Sequence, residues 1–260
     1  MHSDAYFTIG KGHNVCQDYA LCKENAIFIS DGCSSSENTD IGARILPHLV
    51  ESVTQFRDPD KMLKMMQIAR GIANSMGLSS SCLDATLLSC VSVDTLLATT
   101  FFGDGVAALR KRDGSIIIRS VELPENAPPY LSYSISPHRA EVYNKDKRTV
   151  EIVETKNGII ELEMEFPVQP FLRPITFTDG LQDLDAVFLF SDGIKSFTET
   201  NNLGAVIPVS YERVLSELLA IKGYAGEFVK RRAKSFLNNF CKEKGWIHHD
   251  DFSMAGLYLK

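Results

Sequence analysis

Short apolar runs rich in β-branched and aromatic residues recur along the whole chain, and their length predicts β-strands. Arg112-Asp113-Gly114 and Lys156-Asn157-Gly158 each join two such runs. Asp-Gly and Asn-Gly accept the positive φ angles of tight hairpins, so the pattern predicts antiparallel sheets. The runs cover residues 5–9, 26–30, 85–93, 96–102, 106–109, 115–121, 149–153, 159–166, 186–191 and 252–259.

Four other segments have the three-and-four-residue spacing of an amphipathic helix. The first covers residues 41–53, with a kink predicted at Pro47. The second begins at Asp58-Pro59, a capping carboxylate followed by a proline suited to the first helical position, and ends at Gly77. The last two cover residues 214–221 and 227–240. We interpret the methionines of the second helix as core residues.

The order of these elements predicts the fold class. The sequence predicts strands, then a helix pair, a long run of strands, a second helix pair and a last strand. This order is typical of an α+β fold in which helices cover antiparallel sheets. No repeat, linker or low-complexity tract divides the sequence, so we expect residues 1–260 to form a single domain. Residues 123–148 contain four prolines and predict an irregular surface loop or flap.

Composition narrows the function classes. The 260 residues are 44% hydrophobic and 23% charged, which excludes disordered, collagen-like and coiled-coil chains. A net charge of −6 argues against nucleic-acid binding. The chain begins without the pattern of a signal peptide and has no apolar run of membrane-spanning length, and its six cysteines form no C-x-x-C pair. We therefore expect a reduced, cytoplasmic protein with no membrane or nucleic-acid partner.

The candidate chemistry lies in carboxylates at the ends of predicted strands. Asp31-Gly32 and Asp192-Gly193 each follow a buried-looking apolar run and a serine, and Asp250 immediately precedes the last strand. A rigid strand fixes its last residue, and an adjacent glycine leaves room for an ion. Oxygen ligands of this kind suit hard divalent cations. The alternative is that each is an ordinary turn residue, because Asp-Gly is common in turns.

Six motifs that contain acidic residues follow one another along the chain. They are Gly12-His13-Asn14-Val15-Cys16-Gln17-Asp18, Ser30-Asp31-Gly32-Cys33-Ser34-Ser35, Asp84-Ala85-Thr86-Leu87, Gly103-Asp104-Gly105, Ser191-Asp192-Gly193 and Asp250-Asp251-Phe252-Ser253. Their order resembles that of the protein phosphatase 2C (PPM) family of metal-dependent serine/threonine phosphatases, in its bacterial branch. The similarity extends from residue 10 to residue 257 and implies a four-layer αββα sandwich of two antiparallel sheets flanked by helix pairs.

The resemblance implies a role for each of these positions. Asp31 would bridge two Mn²⁺ or Mg²⁺ ions, with the carbonyl of Gly32 as a further ligand. Asp192 and Asp250 would complete the shell of the first ion, and Asp18 would hold the second, partly through water. Asp104 matches an aspartate linked to a weaker third ion.

Two departures from the family pattern affect the expected site. Gln17 stands where familiar members have a glutamate, and its uncharged amide weakens the second metal site. His13 stands where they have an arginine that binds the substrate phosphate. A histidine lacks the bidentate fork of arginine, but it can donate one hydrogen bond or protonate a leaving alkoxide. His13 is therefore the second candidate catalytic residue beside Asp31.

The resemblance thus implies a monomeric enzyme that hydrolyses phosphoserine and phosphothreonine in proteins, by direct attack of a metal-bridging hydroxide and without a phosphoenzyme. A cysteine-based mechanism is disfavoured because neither a glycine cradle nor an arginine follows Cys33. Two alternatives stay open. One is a catalytically weak or inactive module of the same fold that binds a signalling partner. The other, ranked last, is a two-metal phosphodiesterase, since the six histidines are not spaced as ligands.

Overall fold

The computed structural model describes residues 1–50, 56, 58–123, 128–168 and 172–260. Its strands come in antiparallel pairs, as the hairpin signals predict. The strands are β1 (His2–Thr8), β2 (Asp18–Lys23), β3 (Ala26–Asp31), β4 (Leu87–Val93), β5 (Leu96–Phe102), β6 (Gly105–Lys111), β7 (Ile116–Glu122), β8 (Thr149–Lys156), β9 (Ile159–Pro167), β10 (Ile175–Gly180), β11 (Leu184–Phe190), β12 (Phe197–Thr200), β13 (Val206–Pro208), β14 (Ile247–His248) and β15 (Phe252–Tyr258).

These strands form two large sheets and one small one. The seven-stranded sheet has the order β1-β15-β11-β6-β7-β8-β9, and the five-stranded sheet has the order β10-β5-β4-β3-β2. The small sheet, β13-β12-β14, is an addition to the two sheets expected from the sequence. Its strands are only two to four residues long, and so short a run gives no clear apolar alternation in the sequence.

The helices are α1 (Thr39–Leu49), α2 (Pro59–Ser75), α3 (Pro137–Tyr143), α4 (Tyr211–Leu218), α5 (Phe228–Ser235) and α6 (Cys241–Lys244). The carboxylate of Asp58 accepts hydrogen bonds from the backbone N–H groups of Asp60 and Lys61, so the predicted cap of α2 is confirmed. A π-helical turn, Phe236–Phe240, joins α5 to α6. The sequence pattern did not distinguish this turn from one continuous helix.

Three predicted segments differ from the structure. The helix predicted over residues 214–221 is α4, which begins and ends three residues earlier, at Tyr211 and Leu218. Helix α1 ends at Leu49, two residues after Pro47, and the predicted residues 51–53 lie outside the described residues. Residues 123–148 are more regular than predicted, because a 3₁₀ turn, Leu131–Ile135, leads into α3. Pro137 occupies the first turn of α3, where its missing N–H costs nothing, so this proline starts a helix. Residues 124–127 of the segment lie outside the described residues.

Three apolar clusters form the core. The central cluster contains residues of both large sheets, such as Ile29 and Phe101 of the five-stranded sheet and Leu189 and Leu257 of the seven-stranded sheet. A second cluster packs α1 and α2 against the five-stranded sheet and includes the buried side chain of Met62. The third packs α4 and α5 against the seven-stranded sheet. The α+β class with antiparallel sheets is therefore confirmed, as is the core position of the methionines Met62, Met65 and Met66.

The site lies where strands of the two large sheets end. Residues that follow β3, β5 and β11 and precede β15 approach one another there, as described below. Among the described helices, none has the length and apolar character required to cross a bilayer.

Candidate active site

Four aspartates from four separate parts of the chain line one cavity of about 260 Å³. They are Asp31, Asp104, Asp192 and Asp250, and they are far apart in the sequence. The other lining residues are His13, Gly32, Cys33, Ser34, Ser35, Thr86, Pro128 and Tyr130. Of the seven predicted site residues, the cavity brings together all but Asp18.

Asp31 is the last residue of β3, and the backbone around it is fixed by the neighbouring strand. Its N–H donates to the hydroxyl of Thr86 at 3.1 Å, and its carbonyl accepts from the Thr86 N–H at 2.8 Å. Gly32 forms a single β-bridge with Ala85. A Cβ on Gly32 would lie 2.8 Å from Thr39 Oγ1, so this position requires glycine. Thr86 therefore has a structural role, because it fixes the backbone of Asp31.

Asp18 begins β2 and lies directly opposite Asp31 in the sheet register. It does not line the cavity: its residue is only 1% exposed, and Ser191 donates a hydrogen bond of 2.6 Å to its Oδ2 atom. Its Oδ1 atom is buried without a hydrogen-bond partner. An unpaired buried carboxylate oxygen is costly unless a proton or a cation balances it.

Asp192 follows β11 in a 3₁₀ turn that packs against the backbone of Asp251, the residue before β15. The packing is close, because a Cβ on Gly193 would lie 1.7 Å from the carbonyl oxygen of Asp251. Asp104 sits in the β5–β6 turn between Gly103 and Gly105, which have φ angles of 105° and 146°. These glycines let the turn place Asp104 at the cavity.

Asp251 organises the loop that carries His13. Its carboxylate is 2% exposed and accepts hydrogen bonds from the backbone N–H of Gly10 at 2.8 Å and of Gln17 at 2.5 Å. His13 lies between two carboxylates, with Nδ1 3.1 Å from Asp251 Oδ2 and Nε2 3.4 Å from Asp250 Oδ1. The Nδ1 atom is buried without a well-aligned hydrogen bond, so its approach to Asp251 is an ionic contact.

Burial and the crowding of carboxylates raise the pKa values of Asp18, Asp31, Asp104 and Asp250. Removal from water is the largest cause for each. It raises the pKa of Asp18 and of Asp104 to about 7, and the nearby Asp192 carboxylate adds to both shifts. The pKa of Asp31 is raised well above its ordinary value by burial, then by Asp18 and Asp192. Burial and Asp192 also raise the pKa of Asp250.

His13 responds in the opposite sense to burial. Burial lowers the pKa of its imidazole, but the carboxylates of Asp251, Asp250 and Asp18 more than offset this, so the pKa is raised overall. Each of these shifts has the same origin, an excess of negative charge in a partly dry cavity.

The chemistry of this donor set fits divalent cations. The cavity offers carboxylate oxygens with raised pKa values, and the unpaired oxygen of Asp18 lies behind Asp31. Hard cations prefer such ligands and remove the repulsion between them. Across residues 1–50, 56, 58–123, 128–168 and 172–260, however, no three His, Cys, Asp or Glu side chains are already arranged as a ligand group. The metal assignments of Asp18, Asp31, Gly32, Asp104, Asp192 and Asp250 thus stay predictions.

Gln17 contributes to the site through its backbone and through Thr39. Its carbonyl accepts from the Gly32 N–H at 3.1 Å, and its side-chain Nε2 donates to Thr39 Oγ1 at 2.7 Å. The amide is therefore used to fix the loop after Asp31.

Sequence reasoning passed over Asp251, although it named its neighbour Asp250. Only one residue of the doublet faces the cavity, because alternate residues beside a strand point to opposite sides. The doublet itself was the available signal. Because Asp251 is buried, its carboxylate needs hydrogen-bond donors. The glycine-rich loop at residues 10–12 supplies one of them, the backbone N–H of Gly10.

The comparisons with known proteins concern the family and the fold. A family model described as "Protein phosphatase 2C" matches residues 9–223. No curated protein matches the chain significantly.

Solved structures match over nearly the full length, at low sequence identity. Serine/threonine phosphatase Stp1 from Staphylococcus aureus is 13% identical, with a TM-score of 0.57, and the match covers 100% of this chain and 96% of that one. PppA of Pseudomonas aeruginosa is 13% identical, with a TM-score of 0.54 and coverage of 98% and 95%. The catalytic domain of PstP in complex with two manganese ions is 13% identical, with a TM-score of 0.50 and coverage of 98% and 96%. At this identity the likeness shows the fold.

The fold and the matching family model together define a serine/threonine phosphatase. The chain belongs to the protein phosphatase 2C family, and its enzyme class is protein-serine/threonine phosphatase.

Proposed function

We propose that this protein hydrolyses phosphoserine and phosphothreonine in proteins with the help of divalent Mn²⁺ or Mg²⁺ ions. The observation that carries the proposal is the convergence of Asp31, Asp104, Asp192 and Asp250 on one cavity. A cavity lined by carboxylates alone would repel a phosphate dianion, so cations are needed before this substrate can enter. The manganese-bound PstP catalytic domain supports the same assignment by analogy.

The residues that would hold the ions are those implied by the family resemblance. Asp31 would be a ligand of both ions, and the Gly32 carbonyl would be a further ligand. Asp192 and Asp250 would hold the first ion, and Asp18 would hold the second. Asp104 would serve a third, weaker ion. When bound, such ions lower the pKa of water and neutralise phosphoryl oxygens.

The residues of the chain supply orientation and proton transfer. His13 lies at the cavity with Nε2 beside Asp250, where it can donate one hydrogen bond to a phosphate or to the leaving serine oxygen. Asp251 holds the loop that carries it. Cys33 is in the cavity, but no arginine follows it in the motif, so hydrolysis without a covalent phosphoenzyme is favoured. We further propose that residues 1–260 act as one monomeric catalytic domain.

The test is turnover of a phosphothreonine peptide by the purified protein with Mn²⁺, with EDTA as the metal-free comparison. We expect metal-dependent hydrolysis, and a loss of at least about a hundredfold in Asp31→Asn because a metal ligand is removed. Asp94→Asn is the matched control, since Asp94 is exposed in the β4–β5 turn and has a positive φ of 53°, which asparagine also accepts. Equal activity of Asp31→Asn and the wild-type protein would refute the proposal.

A second candidate function is a non-catalytic module that binds a phosphoprotein. Gln17 favours it, because its amide gives no negative charge to an ion and its Nε2 donates to Thr39. Calorimetric titration with Mn²⁺ separates the two functions. A binding module would take up the phosphopeptide with no metal uptake, whereas the phosphatase binds Mn²⁺ and loses that binding in Asp31→Asn.

A further inference from the structure

Asp84 is a buried carboxylate next to the active site, and it has no role in the proposed reaction. It follows a 3₁₀ turn, Ser80–Leu83, and precedes β4, and its residue is only 1% exposed. Burying a charge at this depth is costly unless it is paired and hydrogen-bonded. Asp84 is fully paired, and its partners come from two segments that line the active-site cavity.

The first of these segments is the loop after Asp31. The hydroxyl of Ser36 donates to Asp84 Oδ2 at 2.7 Å, and the N–H of Cys33 donates to the Asp84 carbonyl at 2.8 Å. Between these two anchors lie Ser34 and Ser35, which line the cavity. Asp84 therefore fixes both ends of this short loop.

The second segment is residues 128–143. Arg139 of α3 donates to both carboxylate oxygens of Asp84, at 2.9 and 2.5 Å, and Ser132 donates to Oδ1 at 2.5 Å. Such a bidentate pair uses the planar fork of arginine, which lysine lacks. Asp84 thus ties a helix and the preceding 3₁₀ turn to the start of β4, the central strand of the five-stranded sheet.

Contacts between side chains connect Arg139 to the cavity. The guanidinium of Arg139 lies 4.6 Å from the centre of the Tyr133 ring, and Tyr133 packs edge-on against Tyr130 with ring centres 5.7 Å apart. Tyr130 and Pro128 line the cavity. We call Cys33, Ser34, Ser35, Pro128 and Tyr130 the Ser-Tyr wall, since they are the uncharged side chains on these two segments that face the cavity.

We propose that Asp84, through its bidentate bond to Arg139, is a positioning residue that fixes the Ser-Tyr wall as the docking surface for the peptide around the phosphorylated residue. The inference rests on the proposed function, because the wall matters for a substrate larger than the phosphate group. The carboxylates that attract cations lie elsewhere in the cavity, and the wall offers hydroxyls and an aromatic ring, which suit a peptide backbone. A small aryl phosphate reaches the ions without needing this wall.

The experiment compares two substrates in the Mn²⁺-loaded protein, a phosphothreonine peptide and p-nitrophenyl phosphate. Arg139→Lys keeps the positive charge and removes the fork. We expect its KM for the peptide to rise about tenfold, the change that corresponds to about 1.4 kcal/mol of binding. Both kcat and KM for p-nitrophenyl phosphate should stay within about twofold of the wild-type values, since the wall does not act on the reacting atoms. Asp84→Asn should shift the peptide KM in the same direction.

Arg213→Lys is the matched control. Arg213 also forms an ion pair, with Glu199 at 2.8 Å, and also lies over an aromatic ring, that of Trp246 at 5.0 Å, but its partners are outside the cavity. It should leave both substrates unchanged. Amide hydrogen exchange over residues 130–143 should accelerate in Arg139→Lys and not in Arg213→Lys, and calorimetric Mn²⁺ affinity should be unchanged in both.

The possible failures are distinguishable. A peptide KM that does not change in Arg139→Lys, or equal losses on both substrates, would overturn the wall proposal while leaving the phosphatase intact. If the wild-type protein hydrolyses neither substrate, the proposed function fails, and fluorescence anisotropy of the labelled phosphopeptide then tests the wall. Weaker binding by Arg139→Lys than by Arg213→Lys sustains the wall proposal, and equal or absent binding overturns it. If Asp84→Asn fails to fold, Arg139→Lys decides the outcome.

Discussion

Asp251 shows how one buried side chain organises a loop. Its carboxylate accepts from the N–H groups of Gly10 and Gln17, seven residues apart in sequence, and contacts His13 between them. Hydrogen bonds to a buried charged acceptor are stronger than neutral ones. The conformation of the loop at residues 10–17 therefore depends on an acid from the far end of the chain.

Replacing Asp251 with asparagine should weaken this loop. An amide can accept only through its oxygen, so one backbone N–H would face an NH₂ group, and we expect the free energy of unfolding to fall by about 2 kcal/mol. Urea denaturation measures the change, and Asp94→Asn in an exposed turn is the control. The pKa of His13, followed by NMR in the metal-free protein, should also fall, because a carboxylate that raises it is lost. An unchanged midpoint in Asp251→Asn would contradict this role.

The raised carboxyl pKa values predict how the stability of the metal-free protein depends on pH. In the unfolded chain an aspartate ionises near 3.8, whereas Asp18 and Asp104 do so near 7 when folded. The folded state thus holds extra protons between these values, and stability falls as the pH rises through this window. His13 acts in the same direction, since its pKa is raised and its contribution is lost as it deprotonates.

We therefore expect the EDTA-treated protein to melt at a lower temperature at pH 8 than at pH 6. Added Mn²⁺ should remove most of this difference, because a bound cation stabilises the ionised carboxylates and binds only the folded state. Differential scanning calorimetry at the two pH values, with and without Mn²⁺, measures it. A steeper loss of stability towards acid in the metal-free protein would show that the sign is wrong.

At the scale of elements, the site depends on how closely turns and strands approach. The 3₁₀ turn after β11 can approach the carbonyl of Asp251, just before β15, only because Gly193 has no side chain. This contact places Asp192 beside the loop of Asp250. From the sequence alone, an ordinary turn explains the glycine after Asp192. The sequence does not show that the backbone of Asp251 lies against this glycine.

Gly193→Ala should therefore be strongly destabilising. Its Cβ would overlap the Asp251 carbonyl oxygen, so the turn has to move, and we expect a loss of about 3 kcal/mol in the free energy of unfolding. Gly71→Ala is the matched control, because Gly71 lies within α2 with nothing within 4 Å of an added Cβ. That variant should gain about 0.5–1 kcal/mol, since alanine favours the helix. Equal stabilities by urea denaturation would show that the approach at Gly193 is not tight.

Contacts between the two large sheets are a second feature set by tertiary structure. Arg119 of β7 is largely buried and donates to Asp179 of β10 at 2.6 and 2.8 Å, and to Glu154 of β8 at 2.5 Å. Asp179 belongs to the five-stranded sheet, whereas Arg119 belongs to the seven-stranded one. The sequence did not indicate that Arg119 pairs with Asp179, because Asp179 lies on β10, a strand that the apolar pattern did not predict.

At the scale of the whole molecule, the expectation of one domain can be tested with the single tryptophan. Trp246 is 6% exposed and packs on Phe240, with ring centres 5.2 Å apart, in the outer cluster of the seven-stranded sheet. Its fluorescence reports on that layer, whereas far-ultraviolet circular dichroism reports on all layers. If residues 1–260 fold as one domain, the two urea transitions should coincide. Separate midpoints would indicate independently unfolding parts.

The sequence determined most elements and the identity of the acids. Apolar runs of strand length, Asp-Gly and Asn-Gly turns and the Asp58-Pro59 cap gave the main strands, the hairpins and α2, because these signals are local. The order of the acidic motifs was enough to recognise the family. The strands of two to four residues, the six-residue β10 and α3 escaped prediction, since short elements carry too few residues for a period to show.

Only the tertiary structure decided which acids share a cavity. Asp31 and Asp192 lie 161 positions apart (192 − 31), and their proximity results from packing one sheet on the other, which no local pattern records. The same packing buries Asp18 behind the cavity, places Asp251 beneath His13 and sets Asp84 between two cavity-lining segments. A carboxylate looks the same in the sequence whether it faces a cation, a backbone N–H or an arginine, and burial and partners distinguish these roles.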